Sequence, residues 1–191
     1  MFLCGKACNM DNPWTTLNEK TVYDNPWIRV SHRDVITPTG TDGIYGLVHF
    51  KNLAVGIVPI DEAGHTWLVG QYRYALGQYS WEIPEGGSPI GAESPLESAK
   101  RELQEETGIS AQSWEEIARL HTSNSVTDEA GVVYLARQLS YGDAAPEETE
   151  ELRVRKLPLS EAVEMVHCGE ITDALSMVAL MRAAKVVGRM G

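Results

Sequence analysis

Residues 94–108, Ser94-Pro95-Leu96-Glu97-Ser98-Ala99-Lys100-Arg101-Glu102-Leu103-Gln104-Glu105-Glu106-Thr107-Gly108, carry both ends of a helix and more acid than a helix needs. Ser94 and Glu97 have the spacing of a capping box, with Pro95 at the first helical position, where its missing N–H costs nothing. Gly108 stands where a left-handed C-terminal cap belongs. Leu96, Ala99 and Leu103 fall on one face, as a buried stripe should. Glu102 is followed by Glu105 at i+3 and Glu106 at i+4, so three carboxylates share one side of the helix. Like charges at that spacing cost about 0.2–0.5 kcal/mol per pair, and the helix dipole disfavours them near the C-terminal end. Local stability does not account for the cluster. A solvated acidic face, partly neutralised by Arg101 against Glu97 and Glu105, is the plain reading. A hard divalent cation such as Mg²⁺, which takes oxygen ligands and bridges to phosphates, is the alternative.

The segment before the helix favours the cation. Trp81-Glu82-Ile83-Pro84-Glu85-Gly86-Gly87-Ser88-Pro89 leads from a strand end into a glycine-rich turn. Two glycines let backbone approach a ligand closely, and a carbonyl freed there completes a hard-cation site. Gly86 is the expected carbonyl donor, with Glu85 the alternative.

Further out, the chain reads mainly as strands. Trp27–Ile36 alternates, Pro38–Gly43 is a turn cluster, and β-like runs follow at Ile44–Phe50, Leu53–Ile60 and Thr66–Tyr72. Asp61-Glu62-Ala63-Gly64 reads as a hairpin turn, so an antiparallel meander is expected ahead of the helix. Residues 1–20 read as a loose polar lead-in. Later strands are expected at Trp114–Leu120, Val132–Leu139 and Leu152–Leu157. Ser160 is expected to cap one further helix, and Thr172-Asp173 to open a last one. The expected class is α+β, helices packed on a mixed sheet.

The 191 residues hold 16 Lys+Arg and 27 Asp+Glu, a formal charge of −11. Broad electrostatic binding to nucleic acid or an anionic membrane is disfavoured. No apolar run approaches the roughly 20 residues that cross a bilayer, and Met1–Lys6 lacks signal-peptide organisation. Cys4, Cys8 and Cys168 form no familiar zinc spacing with the five histidines. A reduced, cytoplasmic protein is expected.

From Gly87 the chain reads G-x5-E-x7-R-E-L-x-E-E-x-G-I through Glu93, Arg101, Glu102, Leu103, Glu105, Glu106, Gly108 and Ile109. This resembles the Nudix box at every defined position. Gln71-Tyr72-Arg73-Tyr74, Trp81-Glu82-Ile83-Pro84 and Gly169-Glu170-Ile171-Thr172-Asp173-Ala174 resemble the ADP-ribose and nucleoside-diphosphate-sugar pyrophosphatases of that family. The resemblance implies an α/β/α sandwich with a mixed sheet, preceded by an antiparallel β segment. It divides the chain into residues 1–45, a dimerisation and substrate arm, and residues 46–191, the hydrolase domain.

The implied activity is Mg²⁺-dependent hydrolysis of a nucleoside diphosphate sugar to a nucleoside monophosphate and a sugar 1-phosphate, with Mn²⁺ a substitute. ADP-ribose, ADP-glucose, GDP-mannose and UDP-glucose are candidate substrates. After the box, Thr122–Glu129 replaces the Ser-Pro-Gly type loop common in ADP-ribose-specific members, which leaves the sugar open. The alternatives are hydrolysis of nucleoside triphosphates or dinucleoside polyphosphates, and a non-catalytic nucleotide-sugar sensor.

By the same resemblance, Glu102 and Glu106 ligate metal, Glu105 does so directly or through water, and Arg101 orients them. Glu93 braces the loop. Glu148 is the implied general base and Glu150 an added metal ligand, on a loop expected to close over substrate. Arg73 is the expected phosphate contact, since its fork suits two oxygens. Glu82 is expected to accept from a base N–H. Trp27 is expected either to stack on the nucleobase or to pack in the core or a dimer interface. A homodimer is implied.

Overall fold

The computed structural model describes residues 11–144 and 151–188. Its elements are β1 (Thr15–Asp24), β2 (Ile28–Ile36), β3 (Asp42–Phe50), β4 (Asn52–Pro59), β5 (His65–Arg73), β6 (Gln78–Glu82), β7 (Glu85–Pro89), α1 (Pro95–Thr107), β8 (Ile109–His121), β9 (Ala130–Tyr141), β10 (Arg153–Pro158), α2 (Leu159–His167) and α3 (Ala174–Val187). The chain divides into two units between His49 and Phe50.

The first unit is a three-stranded sheet in the order β1-β2-β3, with β1 and β2 antiparallel. The loose lead-in expected up to residue 20 is corrected here: a strand starts at Thr15. Every residue of β1 is exposed, so apolar patterning gave no signal, and the strand is defined by its backbone ladder to β2. Among the described residues of this unit, Val35 and Ser31 are buried.

The layering of the second unit follows from alternation in β9. Val132, Tyr134 and Ala136 enter one apolar cluster, while Val133 and Leu135 enter another. In β4, Val55 and Ile57 join the first cluster and Val58 the second. Successive strand residues point to opposite faces, so the sheet β7-β4-β9-β8 has one core on each side. Ala99 and Leu103 of α1 cover one face; Ala162, Met165, Leu175, Ala179 and Leu180 of α2 and α3 cover the other. The β4–β9 pair is parallel and the flanking pairs antiparallel, which makes the sheet mixed.

Of the meander expected before α1, the N-terminal part is present as β1-β2-β3, but the hairpin between β4 and β5 is not formed. Asp61–Gly64 does turn the chain, with Gly64 at φ 78°, and Asp61 Oδ1 accepts from Ala63 N and His65 N at 3.0 and 2.8 Å. Yet β4 joins the four-stranded sheet, whereas β5 pairs with β6 and β10 in a separate one. β4 is buried on both faces and takes partners on both edges, β7 and β9, leaving none for β5. The glycine-rich turn after Pro84 is likewise a strand, β7, paired with β4. Ser160 lies inside α2 rather than capping it; Pro158 stands at the cap without a side-chain hydrogen bond. Asp173 caps α3 as expected, its Oδ2 accepting from Ser176 N at 2.7 Å.

Candidate active site

α1 begins and ends where its caps predict. Ser94 Oγ accepts from Glu97 N at 3.2 Å, and Gly108, at φ 71°, donates its N–H to Gln104 O. One ridge of this helix, Ser98, Glu102 and Glu106, runs along β7. Ser88 Oγ and Ser98 Oγ are hydrogen-bonded at 2.9 Å; the Glu102 carboxylate lies on Gly86; Glu106 Oε2 accepts from Glu85 N at 3.1 Å. The match is geometric: four helix residues advance about 6 Å, close to the roughly 6.6 Å of two strand residues. Gly86 pairs with Val55, whose side chain faces α1. A Cβ on Gly86 would therefore point at the helix, and it would overlap the Glu102 carboxyl group.

Glu106 continues the Ala99–Leu103 stripe and is 3% exposed. Glu105 sits off the ridge and accepts from Arg101 Nη1 at 2.7 Å, while Arg101 Nη2 donates to Glu102 Oε1 at 2.8 Å and to Gly87 O at 3.4 Å. Burial works against the Arg101 charge, but Glu102 and Glu105 outweigh it and hold the guanidinium protonated. Glu93 accepts from Ser98 Oγ at 2.6 Å, a bracing contact between the loop and the helix.

A second set of charges stands beside this ridge. Arg73 pairs with Gln78 and Glu82 with Val69 in the β5–β6 hairpin, which puts Arg73 and Glu82 on the same face. Arg73 Nε lies 3.0 Å from both Glu82 oxygens, and Nη2 donates to Glu82 Oε2 at 2.5 Å and to Glu85 Oε1 at 2.7 Å. Burial opposes the Arg73 charge, yet Glu82 and Glu85 raise its pKa further. Burial pushes the Glu85 carboxyl well up, reinforced by Asp173 and Glu82, and Arg73 offsets this only in part. Arg73, Glu82, Glu85, Thr172 and Asp173 line a cavity of about 580 Å³.

Glu82, read from sequence as an acceptor for a base N–H, is 2% exposed and holds Arg73 with both oxygens. Trp27 is 65% exposed at the turn between β1 and β2, outside the core of this chain. Glu148 and Glu150, and the thiols of Cys4 and Cys8, lie outside the described residues. The Glu85 side chain was missed by sequence reasoning, which weighed only its carbonyl. A charged residue wedged between Pro84 and Gly86 was the available signal.

Among the described residues no group of three or more His, Cys, Asp or Glu side chains stands in an arrangement that would hold a metal ion. The donors around Gly86 nevertheless suit Mg²⁺. All are hard oxygens, and the side-chain-free Gly86 leaves space that the Glu102 carboxylate enters. Mg²⁺ keeps several waters and needs few protein ligands.

A crystal structure of an ADP compounds hydrolase has the same fold, with a TM-score of 0.83 at 24% identity over 93% of this chain and 96% of that one. The NUDIX domain matches residues 50–175, and the nucleoside diphosphate sugar hydrolase N-terminal domain matches residues 14–48. The chain belongs to the Nudix family. The ADP-ribose pyrophosphatase of Mycobacterium tuberculosis is 30% identical over 90% of this chain and 83% of its own length. That of Bacillus subtilis is 30% identical over 86% and 89%.

Proposed function

We propose that this protein is a Nudix pyrophosphatase that hydrolyses the diphosphate of a nucleoside diphosphate sugar, with Mg²⁺ as its cation, to a nucleoside monophosphate and a sugar phosphate. The observation that carries the reading is the Glu102 carboxylate seated on Gly86, with Glu106 one turn further along the same ridge. The relatives named ADP-ribose pyrophosphatase, and the N-terminal family match, support the substrate class.

Glu102, Glu105, Glu106 and the Gly86 carbonyl would hold the cation. A bound divalent cation neutralises diphosphate charge and lowers the pKa of a coordinated water. Arg101 keeps Glu102 and Glu105 oriented. Arg73 contributes a fixed positive group to a phosphate oxygen, and catalysis of this kind is largely such positioning. Proton removal is assigned to Glu148, with Glu150 as a further ligand and Trp27 as the stacking surface for the base; these assignments rest on the sequence.

A homodimer built through the N-terminal strands completes the reading. Its support is a ten-residue strand with no buried residue, carrying exposed Leu17, Val22 and Tyr23. Among the described residues no helix is long and apolar enough to cross a membrane. The exposed free thiol of Cys168 supports a reducing, cytoplasmic setting.

The deciding experiment incubates the protein with Mg²⁺ and ADP-ribose, ADP-glucose, UDP-glucose, GDP-mannose or nucleoside triphosphates and follows monophosphate release. Release from at least one sugar nucleotide, much reduced in Glu106→Gln at the same Mg²⁺ concentration, is expected. No release from any of them would overturn the proposal.

A further inference from the structure

We infer that Glu85 is a positioning residue that aims Arg73 at the substrate diphosphate and sets its distance from the metal-binding helix. This rests on the reading of Arg73 as the phosphate contact.

A guanidinium has five N–H donors in a rigid plane. In Arg73 the Nε and Nη2 edge is taken up by Glu82 and Glu85, whereas Nη1 has no partner among the described residues. The side chain lines the cavity that also holds Gln78, Thr172 and Asp173. Glu82 on the Nε and Nη2 edge and Glu85 on the second Nη2 hydrogen stop the plane from turning, so the Nη1 hydrogens are held in fixed directions.

Glu85 does a second thing at the same time. Its side chain holds Arg73 at 2.7 Å, and its main-chain N–H holds Glu106 at 3.1 Å. A single residue thereby spaces a phosphate contact from a metal ligand, and a diphosphate has to meet both together. Misplacement by about 1 Å can cost two orders of magnitude in rate.

The residue is also costly to the fold. Its Oε2 is buried with no hydrogen-bond partner, and Glu82 and Asp173 crowd it with like charge. An apolar side chain of similar size would pack there at lower cost. A carboxylate kept under these conditions points to its grip on Arg73 rather than to stability.

The test compares wild type with Arg73→Ala, Glu85→Ala, Glu85→Gln and the Arg73→Ala/Glu85→Ala double variant. Readouts are ADP binding by calorimetry in Mg²⁺, Mn²⁺ binding by electron paramagnetic resonance, melting temperature, and KM and kcat with ADP-ribose. Glu85→Ala is expected to weaken ADP binding and raise KM about tenfold, with Mn²⁺ affinity unchanged because the main-chain N–H to Glu106 remains. Glu85→Gln, which keeps an acceptor for Nη2, is expected to recover most of the loss without relying on the fate of the alanine variant. The double variant should bind ADP no worse than Arg73→Ala alone.

Wild-type ADP binding by Glu85→Ala would overturn the inference. So would losses that add fully in the double variant, or a parallel fall in Mn²⁺ affinity. If Arg73→Ala itself bound ADP normally, the phosphate role of Arg73 would fail first, and that result is separable from a failure of Glu85 alone.

Discussion

The carboxylate of Glu102 lies on the α-carbon of Gly86, in the space that any side chain at position 86 would fill. Gly86→Ala is therefore expected to leave α1 in place and displace Glu102. Overpacking of this kind costs about 1–3 kcal/mol, a modest drop in a thermal melt. Turnover should fall much further, by roughly two orders of magnitude, because a ligand is moved out of position. Steady-state kinetics beside the melt separate the two effects, and a Gly86→Ala enzyme with wild-type turnover would exclude the arrangement.

Removal of the cation is expected to abolish hydrolysis reversibly. EDTA should silence the enzyme, Mg²⁺ should restore it, and Mn²⁺ should substitute. Glu106→Gln keeps an acceptor for Glu85 N but loses the charge, and should require at least about tenfold more Mg²⁺ for half-maximal rate. Activity that persists in excess chelator would rule out the metal reading.

Asp61 is expected to contribute stability without touching the chemistry. Burial raises its pKa, but the hydrogen bond from Lys156 at 2.7 Å and that from His65 N pull it below the ordinary value. A folded pKa below the unfolded one means the contribution is present above about pH 4 and lost as pH falls through the folded value. Asp61→Ala should cost about 1–3 kcal/mol in urea unfolding at pH 7, with the deficit shrinking toward pH 3 and turnover per folded molecule retained. A deficit that grew on acidification would contradict the sign.

The N-terminal strands are expected to join two copies of the chain. Leu17 and Val22 lie on an edge strand with no buried residue, and exposed edge strands of that length are association sites. Sedimentation should give a dimer at micromolar concentration, and Leu17→Asp with Val22→Asp should give a monomer. A wild-type monomer would refute this.

What could be read from sequence was what is decided locally. Ser94, Pro95 and Gly108 bound α1 through contacts within a few residues, and the Glu102–Glu106 spacing is a property of any helix. The Asp61–Gly64 turn was legible too, but the separation of β4 from β5 was not. That depends on β9, more than seventy residues along the chain from β4, supplying a parallel partner. β1 has no apolar face to reveal it. The Arg73–Glu82–Glu85 contact brings β5, β6 and the start of β7 together, and a one-residue shift in the β5–β6 register would turn Arg73 and Glu82 to opposite faces. Such contacts belong to the assembled sheets and leave no spacing in the chain.

The alternation of β9 between two cores has a consequence for how such an enzyme can change over generations. Met165 and Leu180 alter volume on the side of the sheet away from Glu102, Glu105 and Glu106, whereas Leu103 and Tyr134 lie in the core that carries them. Apart from Thr172 and Asp173, which reach the Arg73 cavity, that half of the interior is thus separated from the carboxylate ridge by a layer of backbone. Adaptation to heat or cold can be inherited through the α2–α3 side while the hydrolytic half stays as it is, so tolerance and reactivity need not evolve together.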